Sequence, residues 1–300
     1  MTAVAILAET PQAPMTGPAN SAMRPLPAAL SNGLSPQDTL RVNAARPTFR
    51  TLRAGESLYF QGDESRYIYL LLDGWAFRHQ SLEDGRRQIL DFALPGAVFG
   101  FPAAAIQAHG VEALTPCTFS VFTRDNLFDL LQRVPLLSLR FIEIMAGAEA
   151  RAYEHLTSVG RRTARQRVAN LLMELLLRSR RVEPAGSTAR MTLPLMQPHI
   201  GDAIGLASET VCRTLAAMRK DGVLVLRAQR LEVLDIERLA EEAGIDRDET
   251  TLRQCRPAAR MARQIQTHLR QDHAISAHCW AATRRALMTQ PPPATGGIVI

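Results

Sequence analysis

Between residues 46 and 125 the apolar residues come in short runs: SLYF (57–60), YIYLLL (67–72), WAFRHQ (75–80), RQILDFA (87–93) and CTFSVF (117–122). Gly55, Gly62, Gly74, Gly85, Gly96 and Gly100 punctuate them. Short strands at spacings of roughly 8–12 residues, with turn signals between them, predict an all-β sandwich, roll or barrel. Glu83-Asp84-Gly85 reads as a hairpin turn, since glycine accepts the positive φ that the turn requires, and Leu94-Pro95-Gly96 as a second turn.

From 126 to 160 the period becomes helical. Pro135 suits a first helical turn. After it, Phe141, Met145, Ala148, Ala152, His155 and Val159 step alternately by four and three. That is a heptad seam which two helices could share, with alanines allowing close approach. The same stripe would also pack the helix onto its own β domain. A second helix over 164–180 carries Val168, Leu171, Leu172, Leu175 and Leu176 on one broad core-facing stripe. Arg161, Arg162, Arg165 and Arg167 lead into it, a pattern that a solvated face would also give.

Residues 196–234 carry the clearest functional pattern. Pro198 can open a short helix whose Ile200 and Ile204 share a face, and Gly205 supplies a tight turn to a second helix. Ser208 is expected to cap that helix. Within it Val211, Leu215 and Met218 face inward, while Glu209, Cys212 and Arg213 share a different, solvent-facing side. Asp221-Gly222 ends the helix, and two apolar runs flanking Arg227-Ala228-Gln229-Arg230 predict a small β hairpin. The pattern is that of a winged helix-turn-helix. Arg213 offers the forked donor that a guanine edge accepts, and Glu209 an acceptor for cytosine N4. Lys220, Arg227 and Arg230 flank the helix as candidate phosphate contacts, which position without specifying. Ser208, Glu209, Cys212, Arg213, Lys220, Arg227 and Arg230 are therefore the candidate contacts to double-stranded DNA. Cys212 is also a redox candidate: a sulfinate there would set negative charge against the phosphate-lined groove. Alternatively, the thiol makes only a passive contact.

Composition sharpens this picture in places. The 300 residues suit two domains, and 46% hydrophobic residues suffice for real cores. No uncharged apolar run reaches the ~18 residues of a membrane span. The start of the chain lacks the basic region of a secretory signal, so a cytoplasmic location is expected. Cys117, Cys212, Cys255 and Cys279 are scattered with no C-x-x-C pair, which argues against a disulfide scaffold or zinc ribbon. Lysine and arginine exceed aspartate and glutamate by 35 − 29 = 6. Within 251–300, seven arginines face Asp272 alone, so the excess is a property of the tail and says little about nucleic acid. The expected organisation is a disordered lead-in (1–45), a β-roll (46–125), a dimerisation helix (126–160), a winged helix-turn-helix (161–240) and a basic extension (241–300). The last is expected to be partly disordered.

A glycine-punctuated β-roll, a long helix and a winged helix-turn-helix reading Glu209-Thr210-Val211-Cys212-Arg213 resemble the Crp/Fnr transcription regulators over roughly residues 46–240. Ala54-Gly55-Glu56, Gly62-Asp63, Leu71-Leu72-Asp73-Gly74 and Pro95-Gly96…Phe99-Gly100 add to the match. The resemblance implies an α+β chain with a cyclic-nucleotide-binding-like roll. It implies a homodimer on a TTGA-like inverted repeat, as in the Fnr and FixK branches, with RNA polymerase as a partner. Glu209 and Arg213 would be its base readers, and Cys212 stands where Fnr-type proteins have serine.

Two departures bear on cofactors. Oxygen-sensing relatives hold an iron–sulfur cluster through an N-terminal cysteine group, yet no cysteine precedes Cys117 here. Cyclic-AMP-binding relatives carry an Arg-Ser pair where this chain has Ile106-Gln107-Ala108-His109. No cofactor or metal is therefore expected. His79 and His109 are the only roll histidines; haem on one of them, or a cupin-type metal enzyme lacking H-x-H spacing, is a weaker reading.

Overall fold

The computed structural model describes residues 26–45, 48–64, 66–100, 106–179, 183–185 and 188–245. The first described segment holds two helices, α1 (Ala28–Ser31) and α2 (Pro36–Ala44). Ser35 caps α2 by accepting the Asp38 N–H at 3.0 Å, and Pro36 fills its first turn. Leu26, Leu30 and Val42 are buried in one cluster with Ile68, Leu70, Phe122, Leu137 and Phe141. The expected disordered lead-in is thus corrected over 26–45, while residues 1–25 lie outside the described residues. Three apolar side chains stabilise little alone, but the neighbouring domain supplies the surface that buries them.

Eight strands form the roll: β1 (Thr48–Leu52), β2 (Ser57–Tyr59), β3 (Tyr67–Asp73), β4 (Ala76–Ser81), β5 (Arg87–Ala93), β6 (Val98–Phe99), β7 (Gly110–Ala113) and β8 (Cys117–Thr123). They make two antiparallel sheets, ordered β1-β8-β3-β6 and β2-β7-β4-β5. Strands β3 and β8 are buried over most of their length because both of their faces are covered. Tyr69, Leu71, Phe119 and Val121 share the core of the roll, while Ile68, Leu70 and Phe122 lie in the cluster with the helices. The expected turn at Glu83–Gly85 joins β4 to β5, with Gly85 at φ 82° and Leu82 N–H donating to Arg86 C=O at 2.8 Å. Gly74 is required for space as well as conformation, since a Cβ there would collide with the Pro116 carbonyl and come within 2.8 Å of the Cys117 sulfur.

Helix α3 (Arg124–Arg133) ends at Val134, and Pro135 opens α4 (Pro135–Arg161). The next domain comprises α5 (Ala164–Arg178), β9 (Glu183–Ala185), β10 (Thr188–Thr192), α6 (Gln197–Ile204), α7 (Ser208–Lys220), β11 (Leu224–Arg227), β12 (Arg230–Val233) and α8 (Ile236–Ala243). The expected hairpin is β11–β12, extended by β10 and β9 into a four-stranded sheet ordered β11-β12-β10-β9. Residues 246–300, and with them most of the basic extension, lie outside the described residues. The core of this domain is not its own alone: Phe77, Ile89 and Phe92 of the roll belong to the same buried cluster as Leu171, Ile200, Ala203 and Val211.

Burial of the N-terminal segment makes a stability prediction. Leu30 is 1% exposed and Leu40 is 65% exposed. Leu30→Ala should lower unfolding stability by ~2–4 kcal/mol in urea, whereas Leu40→Ala should change it by less than ~0.5 kcal/mol. Equal, negligible effects would mean that the segment does not pack.

Candidate nucleic-acid interface

Helices α6 and α7 meet at Gly205, which adopts the left-handed φ of 64° that ends α6. Leu206 N–H donates to Gly201 C=O at 3.1 Å and closes the turn. Gly201 has no room for a side chain, because a Cβ would sit 2.5 Å from the Leu206 carbonyl oxygen. The α7 cap differs from expectation: Ala207 holds the extended cap position, no side chain caps the helix, and Ser208 is the first helical residue. The turn closes one residue earlier than a capping serine would need. Cys212 is the fifth helical residue, in the second turn.

Val211, Leu215 and Met218 are buried, as their spacing predicts. Fixing them inward turns Glu209, Cys212, Arg213, Arg219 and Lys220 to solvent, all exposed. Among the described residues Glu209 forms no ion pair, so no Glu209–Arg213 bridge ties up the pair. The Arg213 guanidinium instead reaches the Thr210 hydroxyl at 3.4 Å. Arg213 also borders an open cleft of about 370 Å3 with Thr163, Ala164, Arg165, Thr210, Thr214 and Ala217, where α7 faces the start of α5. The threonines there were not legible in the sequence, because the cleft joins residues from two distant helices.

The wing places Arg227 and Arg230 opposite each other across β11 and β12, both exposed. Ala228 and Gln229 between them have φ of 47° and 60°. Two successive left-handed residues make the tight turn that suits paired strands. Leu193 N–H donates to Gln229 C=O at 2.8 Å and holds the tip against the chain leading out of β10.

Three of the four arginines that open the second helix are structural connectors, not a solvated face. Arg165 forks onto Glu242 of α8 with two bonds of 2.8 Å and also meets Asp221 at 2.6 Å. Asp221 is the C-cap of α7, so this arginine holds the end of that helix. Arg167 donates to Ile204 C=O at 3.1 Å, and Arg162 pairs with Glu154 at 2.6 Å.

The chain itself covers part of the expected stripe on α4. Phe141 is buried with the roll and α3. His155 lines a small cavity with Asp91, Leu171 and Glu174, and Val159 faces Gly205. Ala148 is half-buried, while Met145 and Ala152 are exposed. The apolar face left open by the chain is Ile142, Met145, Ala152, Tyr153 and Leu156, with Leu156 70% exposed. A helix packed against its own chain on one side has two candidate stripes, and periodicity alone does not say which one turns outward.

In the roll, burial together with Arg78 and His79 pushes the His109 pKa down to about 4, and its ring lies 3.4 Å from the Tyr59 hydroxyl. Burial pushes the Cys117 thiol up to about 12, where its S–H donates to Trp75 C=O. Cys212 is exposed. Among the described residues no three His, Cys, Asp or Glu side chains converge to hold a metal ion. Nor is any described helix long and apolar enough to cross a membrane.

Comparison with known proteins agrees with this architecture. Residues 49–134 match the cyclic nucleotide-binding domain and residues 166–242 the Crp-like helix-turn-helix domain. The chain is 34% identical to the transcriptional activator protein FnrL of Cereibacter sphaeroides over 67% of its own length and 82% of FnrL. It is 32% identical to the nitrogen fixation regulation protein FixK of Rhizobium meliloti, covering 63% of this chain and 84% of that one. The crystallised FixK2 of Bradyrhizobium japonicum superimposes with a TM-score of 0.58 at 31% identity, over 65% of this chain and 96% of FixK2. With its roll, long helix and winged helix-turn-helix each matched in order, the chain belongs to the Crp/Fnr family of transcription regulators, within the Fnr/FixK branch.

Proposed function

We propose that the protein is a cytoplasmic, sequence-specific regulator that reads a TTGA-like inverted repeat as a homodimer, works without iron–sulfur cluster or cyclic AMP, and recruits RNA polymerase. The observation that carries this reading is the division of α7 into a buried stripe and an open face bearing Glu209, Cys212 and Arg213. A helix held in this way presents solvent-facing donors and acceptors to a major groove. Arg227 and Arg230 on the wing, with Lys220, supply phosphate contacts, and the cleft beside Arg213 suits a further backbone phosphate. Independence from cyclic AMP rests on Gln107 and Ala108, which give a cyclic phosphate no cationic partner.

Selection of bound sequences from random DNA, without added cyclic nucleotide, tests this directly. Enrichment of an inverted repeat is expected; no enrichment, or enrichment only with cyclic AMP, would overturn it. On the selected site Arg213→Ala should lose ~1–3 kcal/mol and relax preference at a guanine. Arg230→Ala should weaken all sequences alike and reduce the salt dependence. If Arg213→Ala weakened scrambled DNA as much as the selected site, Arg213 would not be a base reader.

The dimer interface follows the exposed face of α4. Leu156→Glu would bring like charges together across a two-fold axis, and sedimentation should then show monomers. An intact Leu156→Glu dimer would place the interface elsewhere.

Cys212 is proposed as a redox brake because its sulfur is exposed on the same open face as the base readers. Mild peroxide should weaken DNA binding of the native protein and spare Cys212→Ser. Equal losses in both proteins, or none in either, would leave Cys212 a passive contact.

A further inference from the structure

The domain carrying α7 is joined to α4 by two residues, Arg162 and Thr163. Such a short link sets where α5 begins but leaves its direction to the contacts of the domain with the roll, which are those of β5 with α6 and whatever holds the far end of α5. That end is Arg178, the last residue of α5, about 21 Å from Ala164 at the rise of an α-helix. Arg178 does not point to solvent. Its guanidinium donates to the Asp91 carboxylate at 3.1 Å, to Glu174 at 2.7 Å and to the Phe92 carbonyl at 2.6 Å.

Asp91 lies on β5 of the roll, and its side chain is 15% exposed. Besides Arg178 it accepts from Arg78 of β4 at 2.8 Å, and from Arg151 of α4 at 3.2 and 3.4 Å. Four N–H donors from three guanidiniums fill the lone pairs of one carboxylate. The three arginines belong to the roll, to the long helix and to the DNA-binding domain. Without Asp91 they would repel one another, with Glu174 the one remaining acid partner among the described residues. We propose that Asp91 is a positioning residue for DNA reading: together with Arg151 and Arg178 it fixes the angle of α5 on α4, and so the separation of the two recognition helices in the dimer. It touches no DNA, and its role rests on the dimeric reading proposed above.

A shift of one base pair between half-sites displaces one relative to the other by ~3.4 Å and turns it by roughly 34° about the duplex. A rigid pair of recognition helices tolerates such a change poorly; a pair free to swing about Arg162 and Thr163 tolerates it well. The test measures full-length protein on the selected inverted repeat and on repeats one base pair longer and shorter. The native protein should lose about tenfold or more on the altered spacings, in line with the loss for a poorly fitted site. Asp91→Asn and Arg151→Met should bind the native spacing more weakly and show a spacing preference of less than about threefold, with the salt dependence kept.

Arg151→Met is the more informative variant. Three arginines against Asp91 and Glu174 leave an excess of one positive charge, and removing Arg151 balances the cluster. It should therefore stay folded by circular dichroism even if Asp91→Asn does not. A folded Arg151→Met protein with the native spacing profile, or with a uniform loss at every spacing, would overturn the assignment. A native protein with no preference for inverted repeats would remove the dimeric reading itself, and this assignment with it.

Discussion

Strand β5 packs on two domains at once, and the rest of the molecule is arranged around that constraint. Ile89 and Phe92 are buried in the core that also holds Leu171, Ile200 and Ala203. Arg87 reaches Asp202 at 2.8 Å, and the Gln88 amide donates to Ala203 C=O at 2.9 Å, both on α6. Helix α6 is in turn the platform on which α7 sits. The roll is thus the support on which the helix-turn-helix is oriented, and not a neighbour on a flexible tether.

Apolar burial and ion pairing contribute differently to that support. The shared cluster supplies most of the favourable energy, because burial scales with area and is indifferent to direction. The bonds around Asp91 are directional, each tying a guanidinium to one carboxylate. A buried carboxylate among guanidiniums gains little net stability over an apolar replacement, but breaking it costs ~3–5 kcal/mol by stranding its partners. Pairs such as Arg66–Glu64 and Arg86–Asp84 are largely solvated and weigh far less. The position of β5 is therefore tolerant in its apolar contacts and exacting in its polar ones.

What could be read from the sequence was local. The five apolar runs of the roll, the Gly205 turn, the inward stripe Val211–Leu215–Met218 and the β11–β12 wing each depend on residues close together in the chain. Strands β6 and β9, of two and three residues, are too short to show a period, and each pairs with a longer strand. Arg165 illustrates the other limit: its partners lie 56 and 77 residues away, so nothing nearby distinguishes it from a solvated arginine. The partly covered stripe on α4 and the helical segment 26–45 share that cause. Both are decided by which surface another part of the chain leaves uncovered.

The reading surface is held at both ends of α7 and again at the wing. Arg165 and Arg238 grip Asp221, the first through its carboxylate and the second through its carbonyl at 2.9 Å. At the wing, Ala228 and Gln229 accept left-handed backbone that disfavours them by about 1–2 kcal/mol each, and the Leu193–Gln229 bond keeps them there. A tip formed by glycine would reach the same shape more easily but would also leave it more easily. On the proposed reading, with the backbone fixed, binding has to order only the side chains of Glu209, Arg213, Lys220, Arg227 and Arg230, at about 0.5–1.5 kcal/mol for each long side chain immobilised. Affinity for any DNA then follows from the cations at the rim. On the same reading, discrimination depends on how accurately the helix is aimed, and the contacts proposed to aim it lie far from the groove.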